Sequence, residues 1–467
     1  MKYIFMNEKS ICILGSGPAG IVTALKLKEL GYGPLVLDCK KNAGVVMVES
    51  LSPGVFTLLE TVGIDLDEFH KTCSPIARSF KFWNDEMIET VNPPGFLTDR
   101  GQFDSLLRDI AIKRGIRFLP DSKVISLEET NEGWEICFRQ DEKYQICKAG
   151  FLVDASGKKS VIRGIKKRVA ASTLAVSGSW ENTGFKKNET ILESGTNNWF
   201  WGAMLSNGIL HTTLFLDPEI TRIPGRVGLT RLYTSYLEKT ELFKTCLTGR
   251  LRGNLIANDV TPFYYKKPAS HNYIKVGESS VGLDPVSSQG VQCSMAGAIQ
   301  AAIVINTTLT DPDHASLATD FYQERQLELI RLHEEKISAV YDAACPAKDN
   351  PFWAKRIMKT RRSESMPTPE YWTPSQRIEF SPEAGLMPTG CIIANQVSSR
   401  PGLTHPLLKR PIVFWENKEI ASILGTLEGR FELSEWIRRW SEKINPVGAS
   451  RLFDQLKNMG VLVAAQE

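Results

Sequence analysis

The chain has 467 residues, of which 42% are hydrophobic and 23% charged, and its formal net charge is +3. That length holds two or three domains with sizeable cores, and so small a charge gives no electrostatic reason to expect nucleic acid or a membrane surface as partner. Nine cysteines, odd in number and without a C-x-x-C pair, argue against a disulfide frame or zinc site and suit a reducing compartment. The six histidines have no ligand spacing, so no metal is expected. The first ten residues are too short and too polar for a signal peptide, and no stretch approaches a membrane span. Cytoplasmic is the expected location.

In chain order, Ile11 to Leu14 is a short apolar run of the kind that forms a buried parallel strand. Gly15-Ser16-Gly17-Pro18-Ala19-Gly20 follows, then Ile21, Val22, Leu25, Leu27 and Leu30 at helical spacing, closing at Gly31. A second apolar run, Leu35 to Leu37, ends in Asp38. Strand, glycine turn, helix, strand and acid form the dinucleotide-binding fingerprint. Gly15 allows the turn, Gly17 lets the backbone approach a pyrophosphate, and Gly20 lets helix pack on strand. The helix N-terminus offers free N–H groups to phosphate, and Asp38 stands where a carboxylate accepts ribose hydroxyls.

Beyond it, the pattern predicts a helix over Val55 to Val62 and a strand pair over Ser79 to Thr90 turning at Asn84-Asp85. A helix over Thr98 to Arg114 is expected, capped by Asp99 or Thr98. Arg117 to Leu119, Lys123 to Leu127, Trp134 to Phe138 and Tyr144 to Lys148 alternate like a small meander. Phe151 to Val153 is a buried strand ending at Asp154-Ala155-Ser156-Gly157. From Val169 to about Tyr265, strand-like runs such as Trp199 to Leu205 and Leu210 to Leu216 dominate, and helical periodicity nearly vanishes. This reads as an inserted antiparallel sheet, the natural wall of a substrate pocket. Tyr273 to Val276 returns to the core, and two helices, Val291 to Thr307 and Ala315 to Cys345, follow a loop. Asp349 to Arg377 reads as a helix and then a loop. The end of the chain has a strand at Ile412 to Trp415, helices near Glu419 to Leu424, Ser434 to Lys443 and Ser450 to Met459, and a strand at Val461 to Ala464. Helix-turn-helix with a closing strand is winged-helix-like, but no helix carries a basic stripe, so nucleic acid is not its expected partner.

Two later stretches separate a flavoprotein from a nicotinamide enzyme. Asp154 to Arg163 and Leu283-Asp284-Pro285-Val286-Ser287-Ser288-Gln289-Gly290 both lie where α/β sheets bind ligands, at carboxyl ends of core strands. With the Gly15–Gly20 turn and the Arg100-x-x-x-Asp104 pair, they make residues 10 to 345 resemble the class A FAD-dependent monooxygenases and the tryptophan-halogenase-like superfamily. The resemblance implies a Rossmann-type, glutathione-reductase-like α/β FAD-binding domain from 1–168 and 270–346, with part of 45–98 facing the substrate domain. It also implies an antiparallel-sheet substrate domain at 169–269 and a mainly helical, winged-helix-like region at 347–467. Non-covalent FAD would be held by Gly15, Ser16, Gly17, Pro18, Ala19 and Gly20, and by Asp38, Cys39, Lys40, Glu49 and Ser50. Arg100 would lie near the pyrophosphate or ribityl chain and Val124 near the adenine. Asp154, Ala155, Gly157, Glu278, Gln289, Gly290 and Val291 complete the set, with Asp284 and Pro285 against the flavin ring. Gly277-Glu278 departs from the family's usual Gly-Asp.

The finer match, on Glu49-Ser50-Leu51-Ser52-Pro53 and the 284–290 loop, resembles the flavoproteins that mature tryptophylquinone oxidases, partners of glycine oxidase and lysine oxidase. It implies hydroxylation of a tryptophan side chain, with O2, in the precursor of a quinone-dependent amine or amino-acid oxidase. This is a step in cysteine tryptophylquinone biosynthesis, with NAD(P)H or a flavin reductase as electron source. Glu49, Trp199, Trp201, Asp284 and Pro285 are the catalytic candidates. Halogenases of the superfamily use a lysine in the segment before Phe80. Here that segment is Ser74-Pro75-Ile76-Ala77-Arg78-Ser79, with Lys71 and Lys81 only nearby, and Trp199-Phe200-Trp201 continues as Gly202-Ala203-Met204 rather than in the halogenase pattern. A hydroxylase or halogenase of a small aromatic metabolite, or a flavin-carrying chaperone, are the alternatives. The tail beyond about Ala347 offers surface on which a precursor could dock.

Overall fold

Ile11–Leu14 is buried along its whole length, as a central strand covered on both faces requires. It lies in a five-stranded sheet in the order Tyr273–Lys275, Phe151–Asp154, Ile11–Leu14, Leu35–Leu37, Arg117–Leu119, and every pair is parallel. The computed structural model describes residues 2–4, 10–39, 47–344, 350–357, 372–373 and 375–465. It divides into two compact units, Met1–Thr310 with Tyr322–Met358, and Asp311–Phe321 with Lys359–Glu467.

In the first unit a meander, Lys123–Thr130, Gly133–Gln140 and Lys143–Ala149, forms a separate sheet with Lys2–Ile4. Arg117–Leu119, expected within that meander, instead runs parallel beside Leu35–Leu37. Three alternating residues satisfy either sheet, so only tertiary pairing decides. Helix Gly290–Thr310 corrects a second expectation, because its 21 residues are long and apolar enough to cross a membrane. Its composition answers to the core: Met295, Ala298, Ala301 and Ala302 are fully buried, and small residues let it pack against helices Pro18–Glu29 and Gly54–Thr61.

A seven-stranded sheet stands apart from the parallel one, in the order Arg250–Asp259, Leu174–Glu181, Leu210–Leu216, Asn198–Met204, Glu189–Ser194, Arg78–Trp83, Glu86–Val91. The last two strands come from the early chain and turn at Asn84 and Asp85, both with positive φ, as the sequence predicts. Only the Glu189–Ser194 pairing with Arg78–Trp83 is parallel. One side of this sheet is covered by helix Arg226–Leu237, which the strand-dominated reading of 169–265 passed over. Its signal was Leu229, Tyr233 and Leu237 at every fourth position, all buried, in a segment otherwise thick with Gly and Thr.

The second unit has its own core, built on Trp436, Trp440, Leu452, Phe453 and Leu456. Helices Ile420–Leu424, Leu433–Ser441 and Pro446–Asn458 and strand Leu462–Ala464 stand where expected, and the predicted Ile412–Trp415 strand shortens to Phe414–Trp415. The closing strand pairs with Arg377–Phe380, and a long hairpin, Gly385–Ile393 with Gln396–Thr404, was not anticipated. Pro388 stands opposite Pro401 in it, and prolines normally count against a strand. Most of the expected 349–377 helix and loop, including Arg361 and Arg362, lies outside the described residues.

Candidate active site

The glycine turn divides its labour by position. Gly15 has φ +110°, donates its N–H to Leu37 O at 2.8 Å, and a Cβ there would stand 2.4 Å from Ala155 O. At Gly20 a Cβ would lie 2.1 Å from Gly15 O, so helix and strand touch backbone to backbone. Gly17 is the opposite case: its backbone is extended, it caps helix Pro18–Glu29, and nothing lies within 4 Å of a Cβ built on it. Beside it the buried Ser16 hydroxyl has no hydrogen-bond partner. An orphaned donor, open space and the free amides of a helix start together form a seat for an anion. These residues fit the pyrophosphate of a dinucleotide.

Around this seat the carboxyl ends of the strands are braced by ion pairs. Asp38 is buried and paired with Arg108 at 2.9 Å. Asp99 accepts the Gly101 N–H at 2.8 Å and starts helix Arg100–Lys113, which aims Arg100 inward. Arg100 Nε bonds Asp104 at 3.1 Å, and its Nη1 bonds Glu49. Burial works against the guanidinium charge, yet the Glu49 and Asp104 carboxylates outweigh it and hold Arg100 above its ordinary pKa. Asp284 is buried in the other loop. Its carboxylate accepts the Tyr341 hydroxyl at 2.9 and 3.1 Å and the Val286 N–H at 3.1 Å, while its own N–H donates to His333 Nε2 at 2.9 Å. Burial pushes the Asp284 carboxyl up, against Val286, Tyr341 and Arg356.

One cavity of about 800 Å³ runs from the glycine turn to the seven-stranded sheet. Register decides what that sheet shows it. Trp199, Phe215 and Ala175 stand side by side, as do Trp201, Thr213 and Ser177 in the next row. All six line the cavity, with His211 beyond them. Trp199 stacks on Phe215 at 3.6 Å, and Ser177 bonds Thr213 at 2.9 Å. His211 Nδ1 meets Ser179 Oγ at 3.3 Å, and burial lowers the imidazole pKa to about 4. The wall is aromatic at one end and polar at the other.

His333 is likewise drawn down to about 4, by burial and then by Lys336. Both imidazoles are therefore neutral in the fold but protonate near the ordinary histidine value of 6.5 once unfolded. Their stabilisation is complete above pH 6.5 and is lost as pH falls toward 4. Urea melts at pH 7.5 and 5.5 should differ by roughly 1 kcal/mol per histidine. In the His211→Gln variant that difference should shrink; an unchanged pH slope would refute the assignment.

Of the residues named from sequence, Gly15, Ser16, Gly17, Pro18, Ala19, Asp38, Cys39, Glu49, Ser50, Arg100 and Val124 line the cavity. So do Ala155, Gly157, Trp199, Trp201, Glu278, Asp284, Pro285, Gly290 and Val291. Gly20, Asp154 and Gln289 do not, and Lys40 lies outside the described residues. Asp154 instead accepts from Ser156 N and Oγ, Ser160 Oγ and Ile162 N, and faces Lys275 at 3.7 Å. Ser177, Thr213 and Phe215 are wall residues that the sequence reading left unnamed. Their alternation with buried neighbours was visible, but which face met the cavity was not. Neither Lys71 nor Lys81 is in the lining; Lys81 sits over the Trp83 ring at 5.4 Å.

Residues 8–192 match the family model described as FAD binding domain. That match takes in the glycine turn and the Asp154 loop, and the chain as a whole is similar to FAD-dependent oxidoreductases. Among individual proteins, it is 24% identical to the putative FAD-dependent oxidoreductase LodB of Marinomonas mediterranea, over 75% of this chain and 97% of that one. Its fold resembles QhpG, a peptidyl tryptophan dihydroxylase essential for tryptophylquinone cofactor biogenesis, at TM-score 0.77 and 23% identity, covering 96% of this chain and 99% of that one. It also resembles CmlS, a flavin-dependent halogenase, at TM-score 0.81 and 16% identity, covering 98% and 96%.

Proposed function

We propose that the protein hydroxylates the indole ring of a tryptophan side chain within a precursor polypeptide, in the biosynthesis of a cysteine tryptophylquinone cofactor. The precursor would be that of a quinone-dependent amine or amino-acid oxidase. The observation that carries this reading is the single cavity joining a dinucleotide seat to a wall of Trp199, Phe215 and Trp201. Two likenesses support it: LodB in sequence, and QhpG, whose described substrate is a peptidyl tryptophan, in fold. Bound in its reduced form, FAD supplies the activation of O2, and NAD(P)H or a flavin reductase supplies the electrons.

The chain's own residues do the rest. Ser16, the amides after Gly17 and Arg100 would hold the cofactor's phosphates. Tyr341 and His333 clamp the Asp284-Pro285 loop, so that it presents one fixed surface to the cavity. The stacked Trp199 and Phe215 give a rigid apolar wall that excludes water and orients an aromatic ring against it. His211, neutral at working pH, can take up the ring proton that leaves when oxygen adds. The absence of Lys71 and Lys81 from the lining favours hydroxylation over halogenation.

Mass spectrometry tests the proposal. The reduced, FAD-loaded protein, given isotopically labelled dioxygen and a peptide with one tryptophan, should add labelled oxygen to the indole whether or not chloride is present. A chloride-dependent product, or turnover only of free aromatic metabolites, would point to the halogenase or small-molecule reading. Peptide binding without oxygen consumption would leave a flavin-carrying chaperone.

A further inference from the structure

The charge of this chain is unevenly placed. Six of the eleven residues from Lys158 to Arg168 are Lys or Arg and none is acidic, so the remainder of a chain of net charge +3 carries −3. Lys158 and Lys159 line the cavity. Val161 lines it too and is 38% exposed, which places an opening of the cavity at this segment. Outward from it, Arg163, Lys166, Lys167 and Arg168 are exposed, with Ile165 63% exposed among them. Lys166 Nζ stands 3.5 Å from Lys158 O and 3.5 Å above the Phe263 ring, so the exposed cations continue directly from those of the lining.

Little acid offsets them. Asp259 lies 3.8 Å from Lys158, and Glu278 is the other carboxylate felt by Lys158 and Lys166. Lys159, Arg163 and Lys167 form no ion pair among the described residues. Burial lowers Lys158 and Lys166 from their ordinary pKa; Asp259 and Glu278 pull both back up, while Lys166 and Arg168 lower Lys158 further and Arg168 lowers Lys166.

The segment also ends at the edge of a sheet. Lys166–Arg168 is the end strand of a three-stranded sheet, paired on one side with Phe263–Tyr265. Basic residues on an edge strand are a known guard against self-association, because two like-charged edges repel. The same charge attracts an extended segment of opposite sign, which an open edge can accept as an added strand.

We propose that the Lys158–Arg168 segment is the docking surface for an acidic, extended stretch of the polypeptide substrate, which delivers its tryptophan through the adjacent opening. This rests on the peptidyl-tryptophan reading of the cavity and adds where, and by what chemistry, the polypeptide is gripped. A small anion would be satisfied by Lys158 and Lys159 alone; the exposed row running on to Arg168 suits a chain.

The test uses the FAD-loaded full-length protein and two fluorescein-labelled synthetic peptides, each with one tryptophan, one flanked by glutamates and one by glutamines. In fluorescence anisotropy the glutamate peptide should bind about tenfold more tightly at ~50 mM than at ~500 mM salt, and the glutamine peptide weakly at both. The double variant Arg163→Glu/Lys167→Glu should weaken the glutamate peptide about tenfold with unchanged flavin content, while Arg163→Lys/Lys167→Arg should not. Equal affinity for the two peptides, or no effect of charge reversal, overturns the docking surface. If the glutamine peptide is oxygenated as well as the glutamate one, the docking surface fails and the proposed reaction stands. If the glutamate peptide binds in this salt-sensitive way but is never oxygenated, the surface stands and the reaction fails.

Discussion

A Gly17→Ser variant is expected to fold as well as the parent protein and to emerge colourless. Gly17 has an extended backbone that any residue adopts, and a Cβ there meets nothing within 4 Å. Serine is also a good helix cap, so the helix beginning at Pro18 loses nothing. What the new side chain fills is the seat beside Ser16, and its hydroxyl competes for the same helix amides that a phosphate needs. FAD affinity should drop about 100-fold, or about 3 kcal/mol. Gly20→Ala should behave in the contrary way. Its methyl would overlap Gly15 O at 2.1 Å, backbone against backbone, with no flexible side chain to yield. The apoprotein should lose about 2–3 kcal/mol of stability. Flavin titration and urea denaturation of both apoproteins separate the two effects. If Gly17→Ser binds FAD normally, the seat is not where the phosphates lie.

That contrast also marks how far the sequence could be read. Gly15, Gly17 and Gly20 were assigned their separate tasks from spacing alone, because a strand, a turn and a helix that must touch leave few alternatives. The parallel sheet was legible for the same reason: Ile11–Leu14 and Leu35–Leu37 are apolar and buried throughout, and Phe151–Asp154 is buried throughout and apolar up to its final acid. Residues fixed by long-range register were not legible. Ser177, Thr213 and Phe215 join Trp199 and Trp201 on one wall only because three strands pair in one register, and a slip of one residue would turn each of them away. The clamp on Asp284 was hidden in another way. Tyr341 and His333 lie on a helix some fifty residues later, and nothing local ties that helix to the loop. In the second unit the helices were readable from their Trp and Leu periodicity. The Gly385–Thr404 hairpin was not, because its prolines and glycines speak against a strand until the partner is known.

Asp154 supplies the second large effect, through the fold. It was named from sequence with the residues that hold the cofactor, and its place in the structure is beneath the cavity floor. Its two oxygens gather the chain from Ser156 to Ile162 into the loop that carries Ala155 and Gly157 into the lining. It also faces Lys275, and neither side chain has any exposed surface. Lys275 donates at 2.5 Å to Ser160 Oγ and to Ile162 O, so lysine and aspartate hold the same loop from two sides. Asp154→Asn leaves the ammonium buried without its counter-charge and should destabilise the apoprotein by about 3–5 kcal/mol. The double variant Asp154→Asn/Lys275→Met removes both charges and should recover a large part of that loss, since a buried pair replaced as a pair costs far less than a pair broken. Urea denaturation of the three apoproteins at pH 7 decides the matter. A direct cofactor ligand would give the reverse pattern: unchanged apoprotein stability in the single variant, weakened FAD binding, and no rescue by Lys275→Met.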